Sequence, residues 1–204
     1  MWAWIFDYPG FKMRIEHGWS GTMSLPRVLS LGPDGQLRMN PPQEIERLRF
    51  NETKRANLLV QADTDLPLDG IAGNSLNLEL EINPQEAKQC GVKVCASPSG
   101  EEQTLIYYDA PEKKLKIDTT RSSLTDGPKS VEAGPFELPT GEPLRLRVFV
   151  DRSVVEVFAN GRQSVMRRIY PSRPDSLGVK LFSHGGPVTV STFEAWDMMP
   201  SNPY

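Results

Sequence analysis

Carboxylates are the groups in this chain whose spacing could support bond cleavage. Glu79 and Glu81 alternate with leucines between Ser75 and Ile82. A strand there places both acids on one face, with Cβ atoms about 6.5 to 7 Å apart. That spacing permits two acids to act on one bond, but no aromatic platform for a sugar lies near them. The favoured interpretation is a solvated outer face.

Glu156 shares a strand face with Val154 and Phe158. A carboxylate buried among apolar residues needs a partner. The neighbouring strands supply four arginines that could serve: Arg145, Arg147, Arg167 and Arg168. We predict a structural ion pair, ahead of an interface contact and well ahead of catalysis.

Asp151, Arg152 and Ser153 resemble a catalytic trio in composition alone. Consecutive residues cannot converge on one another, and Asp and Ser form turns by bonding to their own backbone. A structural or interface role is therefore predicted for Asp151 and Arg152, and no catalytic residue is assigned.

Metal and thiol chemistry is not predicted either. His17 and His184 have no third ligand at a recognisable spacing. Cys90 and Cys95 are five apart in a predicted strand, which directs them to opposite faces and excludes an intrastrand disulfide. We expect two buried free thiols, no metal site and no cofactor.

The segment from Leu144 to Pro171 reads as an antiparallel meander of three strands. Asn160-Gly161 separates the second and third strands, and both residues tolerate the positive φ of a type I′ turn. The middle strand, Val154 to Phe158, is apolar on both faces apart from Glu156. Both faces should therefore be covered.

About a dozen short strands at regular spacing predict an all-β protein, a two-sheet antiparallel β-sandwich. The one helix signal is Pro41 to Arg49, and a polar interval separates it from Ser75. Thr119 to Gly141 reads as a loop with a short strand around Phe136 to Leu138. Near the start, Trp2, Trp4 and Phe6 share one strand face, so we expect this segment to fold back on the sandwich or to pair with a second copy.

The composition limits the classes of partner. The chain has 204 residues and a formal net charge of −3, with 23 basic and 26 acidic residues mixed along it. A chain of this size buries about 70% of its unfolded surface, enough for a core without disulfides. No basic block predicts nucleic-acid or membrane binding. No secretory leader or apolar run of membrane-spanning length is evident, so a cytoplasmic location is expected.

Two segments resemble glycoside hydrolase family 32, the invertases, fructosidases, inulinases and levanases. Phe149 to Gly161, reading FVDRSVVEVFANG, is similar to the signature of that family's C-terminal β-sandwich. Gly18 to Arg27, reading GWSGTMSLPR, with Asp34 to Leu37 after it, is similar to the segment by which those enzymes leave their catalytic propeller. The resemblance implies a concanavalin- or galectin-like sandwich with a short N-terminal linker helix.

The same resemblance implies a division of the chain into three parts. Residues 1–40 correspond to a remnant of the last propeller blade with its exit strands, residues 41–50 to the linker helix, and residues 51–204 to the sandwich. Trp2 and Trp4 then belong to the remnant and are expected to have a structural or interface role.

Family 32 enzymes retain anomeric configuration, which takes a carboxylate nucleophile and a carboxylic acid about 5 to 5.5 Å apart. The family's three acidic motifs are not in this chain. Met39-Asn40-Pro41 lacks the nucleophilic Asp, Arg173-Pro174-Asp175 is scrambled, and the two cysteines follow Gln89 and Val94 rather than Glu. Catalysis by this chain alone is not expected.

Three hypotheses follow. The first is a non-catalytic structural or assembly module of a fructan- or sucrose-cleaving hydrolase, which would contact a separate catalytic propeller or a second copy. The second is a carbohydrate-binding module for fructans or another carbohydrate, with Trp19, Tyr107 and Tyr108 as candidate stacking residues. One of the two adjacent tyrosines should lie in the core and the other face outward. The third is part of a split hydrolase completed by a propeller chain.

Overall fold

The computed structural model describes residues 1–6, 18, 21–126 and 129–201. Sixteen strands and one short helix are assigned within these ranges. The first four strands are β1 (Trp4–Ile5), β2 (Thr22–Met23), β3 (Val28–Leu31) and β4 (Leu37–Asn40). The linker helix predicted at this point is a 3-10 helix, Gln43–Leu48, and its residue Ile45 is buried.

Twelve strands build the sandwich. They are β5 (Arg49–Val60), β6 (Thr64–Ala72), β7 (Ser75–Asn83), β8 (Gln89–Ala96), β9 (Thr104–Asp109), β10 (Lys114–Asp118), β11 (Val131–Pro135), β12 (Leu144–Asp151), β13 (Val154–Ala159), β14 (Gln163–Arg168), β15 (Gly178–His184) and β16 (Val188–Met198). They form two six-stranded antiparallel sheets. Sheet I has the order β14-β13-β12-β7-β16-β5, and sheet II has the order β11-β10-β9-β8-β15-β6. The predicted all-β, two-sheet sandwich is confirmed.

The main core lies between the inner faces of the two sheets. Leu78, Val148 and Val157 contribute from sheet I, and Val92 and Ile106 from sheet II; all five are fully buried. Their alternation with polar neighbours is what the sequence pattern of β7 and β12 predicts. The main core therefore covers one face of these strands, including one face of the middle strand β13.

A second, smaller apolar cluster covers the outer face of sheet I. Phe149 and Phe158 project outward from β12 and β13 and pack against Ile45 of the 3-10 helix. Leu25 and Leu48 pack against the same cluster. The expectation that both faces of β13 are covered is correct, and the covering layer is the chain that precedes the sandwich.

The β12–β13–β14 meander forms as predicted. Asn160 and Gly161 both adopt positive φ, 49° and 62°. Three residues rather than two separate the paired residues Ala159 and Gln163. The hairpin prediction is correct, whereas the expected two-residue type I′ turn is lengthened by one residue.

Three details of the sequence interpretation are wrong. Residues 49–72, taken as helix end and polar interval, form the strands β5 and β6. The short strand in the 119–141 loop is β11, a few residues before the predicted position.

The third difference concerns the cysteines, which were predicted to point to opposite faces. Cys90 and Cys95 both face the main core. A bulge, in which Val94 and Cys95 of β8 oppose the single residue Val179 of β15, reverses the alternation just before Cys95. Both cysteines are buried free thiols, as expected.

None of the helical structure in the described ranges is long and apolar enough to cross a membrane.

Candidate functional site

The best-defined polar site lies between the family-like strand β13 and the segment of residues 21–27, which we call the entry segment. Glu156 is 0% exposed. Its Oε1 accepts hydrogen bonds from Arg27 Nε at 3.0 Å and from Arg27 Nη2 at 2.5 Å, and its Oε2 accepts one from the backbone N–H of Leu25 at 2.9 Å. One carboxylate thus holds the entry segment at two residues, Leu25 and Arg27.

The electrostatics of Glu156 reflect opposing effects. Burial raises the pKa of its carboxyl group, and the hydrogen bond and charge of Arg27 together with the Leu25 N–H offset that rise only in part. Arg27 is itself 8% exposed, and its guanidinium lies 5.7 Å from the centroid of the Phe158 ring. The pair is enclosed by apolar side chains, so breaking it would leave one charge without a partner in a dry environment.

The partner of Glu156 differs from the four arginines considered from the sequence. Those arginines lie on the outer face or edge of sheet I and have other contacts. Arg145 pairs with Glu81 at 2.8 Å, Arg147 with Glu79 at 2.9 Å and Arg167 with Glu132 at 3.3 Å, while Arg168 lies over the ring of Tyr170. The ion pair was predictable from β13 alone, but its cation comes from 129 residues away.

Glu79 and Glu81 lie in a ladder of opposite charges on the outer face of sheet I. Glu79 pairs with both Arg49 and Arg147, and Glu81 with Arg145. The Arg145 hydrogen bond, followed by that of Ser191, lowers the pKa of Glu81. A general acid needs the opposite shift. The arrangement is that of a surface ion-pair network.

The two adjacent tyrosines project to opposite faces of sheet II, as expected. Tyr108 is in the main core and meets Phe136 edge to face at 5.7 Å. Tyr107 is on the outer face, but it is only 7% exposed because Phe182 packs edge to face against it at 6.0 Å. Tyr107 faces outward as expected, but its ring is covered, so neither tyrosine presents a free aromatic face to a sugar. Trp19, the third stacking candidate, lies outside the described residues.

One side chain among the first six residues is buried. Ile5 is 5% exposed, while Trp2, Trp4 and Phe6 are 60%, 52% and 76% exposed. β1 pairs with β2 and lies against β14. The segment is therefore folded back, as one of the two expectations had it, and three large aromatic rings remain on the surface.

Asp151 ends β12, and Arg152 and Ser153 form the two-residue connection to β13. Both Asp151 and Arg152 are exposed and line a cavity of about 900 Å³ that also borders Leu25, Ile45 and Glu156. The turn predicted here is confirmed.

Glu102 is a buried acid that the sequence interpretation missed. It is 0% exposed and lies in the β8–β9 connection. It accepts hydrogen bonds from Ser172 N and Oγ at 2.7 and 2.6 Å, from Leu124 N and Arg173 N at 3.1 Å each, and from Ser176 Oγ. These donors belong to two other loops, so the Glu-Glu dipeptide in the sequence gives no sign of them.

Within the described ranges, no group of three or more His, Cys, Asp or Glu side chains could hold a metal ion.

A comparison with known protein families finds a match over most of the chain. Residues 44–197 match the family described as "Glycosyl hydrolases family 32 C terminal". The chain belongs to this family.

Several curated family 32 relatives match nearly the whole chain. The sucrose-6-phosphate hydrolase of Zymomonas mobilis is 30% identical over 206 residues, which covers 98% of this chain and 39% of the relative. The levanase of Bacillus subtilis is 34% identical over 185 residues, covering 85% of this chain and 27% of the relative. This family 32 chain thus spans about two fifths or less of the length of these relatives.

Solved structures agree on the fold. The fructan 1-exohydrolase IIa of Cichorium intybus superposes with a TM-score of 0.88 at 23% identity, covering 98% of this chain and 45% of that one. The exo-inulinase of Aspergillus awamori gives a TM-score of 0.72 at 24% identity over 89% of this chain. The family 32 sandwich, with the segments preceding it, is therefore the fold of this chain.

Proposed function

We propose that this chain is a non-catalytic structural module of a fructan- or sucrose-cleaving glycoside hydrolase. In this proposal its role is to fix the entry segment on the outer face of sheet I and so to orient a catalytic propeller relative to the sandwich. The relatives, named as hydrolases of sucrose phosphate and levan, support the substrate class.

The observation that supports a positioning role is the bond set of Glu156 with Arg27 and Leu25. A buried ion pair adds little net stability over a well-packed apolar alternative, and its better-attested use is to specify one arrangement among several. Here the Glu156 carboxylate accepts hydrogen bonds from both a side chain and a backbone N–H of the entry segment. A register shift of the entry segment would leave the buried charge unpaired.

The surroundings of the acids support a non-catalytic role. A retaining glycosidase needs one accessible protonated carboxyl group and one accessible carboxylate. Glu156 has a raised pKa but no exposed surface, and Glu79 and Glu81 are held by arginines. None of these three acids combines access to a sugar with a suitable protonation state.

The exposed Trp2, Trp4 and Phe6 support contact with another protein surface. Leaving a large apolar side chain in water forgoes roughly 1.5 to 3 kcal/mol. We propose that a propeller domain or a second copy of the chain covers these rings. No observation favours fructan binding at Tyr107 or Tyr108.

Two measurements test the proposal. The purified chain is incubated with sucrose, inulin and levan, beside a complete family 32 enzyme as positive control, and released fructose is measured. No fructose is expected from the chain, and turnover above the blank would refute the non-catalytic role.

The positioning role is tested by amide hydrogen exchange on the Glu156→Ala variant. We expect faster exchange at residues 21–27, including Leu25, with unchanged protection in β8 on the opposite sheet. The matched control is Glu81→Ala, which removes a carboxylate from the outer face of the same sheet and should leave residues 21–27 protected. Unchanged exchange of the entry segment in Glu156→Ala would contradict the role assigned to Glu156.

A further inference from the structure

A second cavity, of about 520 Å³, opens where the Arg152–Ser153 turn meets the connection between β14 and β15. No Asp or Glu lines it, whereas Arg152 and Arg173 do. The guanidinium of Arg173 is already paired with Asp175 and Glu101. The uncompensated positive charge of the cavity therefore comes from Arg152.

The backbone at Arg152 has an unusual conformation for an arginine. Its φ is +52°, and it is the first of the two residues between the paired Asp151 and Val154. Glycine is the residue that this position favours, since other side chains are strained there. The turn therefore carries an arginine side chain at a position whose backbone conformation favours glycine.

Cys95, which lines the same cavity, also has positive φ, +48°. In the described ranges, four residues with positive φ are neither Gly, Asn nor Asp: Gln85, Cys95, Lys113 and Arg152. Two of the four therefore border one cavity. Residues held in sparsely populated backbone conformations cluster at ligand sites and other functional positions.

The cavity presents hydrogen-bond donors that the protein does not use. In the part of the chain that the structure describes, the side chains of Arg152, Ser153 and Asn74 have no hydrogen-bond or ion-pair partner. Burial raises the pKa of the Cys95 thiol to about 12, so this group adds no negative charge near neutral pH. The free donors favour an anion, and so does the unpaired guanidinium of Arg152. The carboxylate of Glu102 lies behind the wall, but its charge is met by its own five hydrogen-bond donors.

Hydrogen bonds to Glu102 hold one wall of the cavity in place. Glu102 accepts hydrogen bonds from the backbone N–H groups of Ser172 and Arg173 and from the hydroxyl group of Ser176, all three of which line the cavity. A site whose walls are held in place before binding loses less entropy when a ligand enters.

We propose that this cavity binds a small phosphorylated sugar, with Arg152 as the residue that anchors the phosphate group. Guanidinium groups match phosphate oxygens in geometry and charge. The volume lies in the range of small-molecule sites and exceeds what phosphate alone fills. Ile169, Tyr170 and Pro171 supply a less polar wall for the sugar ring. The inference is independent of the role proposed for Glu156.

Titration calorimetry on the full chain tests the site with three probes: fructose 6-phosphate, inorganic phosphate and fructose. We expect the sugar phosphate to bind most tightly, phosphate more weakly, and fructose not measurably. The Arg152→Gly variant should weaken sugar-phosphate binding about tenfold or more, as expected for the loss of a charge-assisted contact. Its melting temperature should not fall, because Gly is unstrained at this φ.

The matched control is Lys113→Gly. Lys113 is also a basic residue with positive φ, +51°, but it pairs with Glu137 and does not line the cavity. This variant should bind like the wild type. No heat with fructose 6-phosphate at millimolar concentration, equal affinity for free phosphate, or equal losses in the two variants would each overturn the proposal.

Discussion

At the scale of single residues, two buried carboxylates with different surroundings organise the polar interior. Glu156 is matched by a cation, Arg27, and its pKa is raised by burial more than the pair lowers it. Glu102 is matched by neutral donors alone, and its pKa is nevertheless lowered. Burial raises it, but the hydrogen bonds from Ser172, Ser176 and Arg173 lower it by more. The two acids should therefore affect stability with opposite dependence on pH.

Arg27→Met should be destabilising by about 3 to 5 kcal/mol near pH 7, because it leaves the Glu156 carboxylate buried without its cation. Removing Arg27 raises the folded-state pKa of Glu156 further. A raised folded pKa gives stability that is present below the unfolded value and lost as pH rises through the folded value. Urea unfolding at pH 4 and pH 7 should therefore show a smaller loss at the lower pH.

The double variant Arg27→Met/Glu156→Gln provides the control for this prediction. It removes both charges, so it should recover part of the stability at pH 7 and lose the pH dependence of the single variant. Additive effects of the two changes would show that the carboxylate and guanidinium do not act as a pair.

Glu102→Gln should cost about 1 to 3 kcal/mol above pH 5, since an amide keeps one acceptor oxygen and turns its own donors toward the donors of Ser172 and Ser176. The folded pKa of Glu102 is lowered, so its contribution is present above the unfolded value and lost as pH falls through the folded one. The difference between wild type and variant, measured by chemical unfolding, should therefore shrink below about pH 4.5.

Glu101→Gln is the matched control for Glu102→Gln. Glu101 is adjacent in sequence, and its side chain is 59% exposed in an ion pair with Arg173. A surface pair of this kind contributes about 0 to 1 kcal/mol. Equal losses at positions 101 and 102 would argue against the buried hydrogen-bond cluster.

At the scale of elements, sheet II has a close approach of two strands that depends on one glycine. Gly91 of β8 is paired with Tyr107 of β9 and with Phe182 of β15, and these two rings meet edge to face beside it. A Cβ at position 91 would lie 2.0 Å from the carbonyl oxygen of Ile106 and 2.8 Å from the Cα of Tyr107. Both atoms belong to backbone, so relief requires β9 to move.

Gly91→Ala should therefore be among the severe substitutions, costing about 3 kcal/mol or more in unfolding free energy or preventing folding. Gly32→Ala is the control. The three atoms nearest to its added Cβ belong to the side chains of Arg38 and Asp34, which can move aside. Thermal unfolding of the two variants should separate them clearly, and a mild effect at position 91 would mean that β8 and β9 are not packed this closely.

Some strands were predictable from the sequence alone, and others were not. β7, β12 and β13 each have one or two apolar faces, and their patterns predicted their bounds well because burial determines the alternation. β5 was missed because it is an edge strand whose side chains are mostly exposed, so no face is selected for apolar residues. Asn51 and Asn57, with positive φ, further interrupt its regularity.

The candidate site was predictable in part for a related reason. Glu156 stands out because its strand neighbours are apolar, and that local pattern was enough to predict an ion pair. The identity of Arg27 as partner depends on how a distant segment lies over the sheet, which no local pattern contains. The Glu102 cluster has the same long-range character, with donors 22 to 74 residues away.

At the scale of the whole molecule, the two cysteines can report on two kinds of opening. Cys90 is 1% exposed between the sheets, and Cys95 is 2% exposed at the cavity wall next to the loops that Glu102 holds. Burial raises the pKa of each thiol to about 12, so neither reacts readily while the fold is closed.

We expect Cys90, in a Cys95→Ser background, to react with a thiol reagent only through global unfolding, because it lies in the main core and, unlike Cys95, is paired with both neighbouring strands, β9 and β15. Cys95, in a Cys90→Ser background, should react faster, through local opening of the loops at residues 119–126 and 171–177. Adding Glu102→Gln should accelerate labelling of Cys95 beyond the change in global stability, and should change labelling of Cys90 only in proportion to that stability. Equal acceleration at both thiols would mean that the sandwich opens as a single unit and that Glu102 stabilises all of it equally.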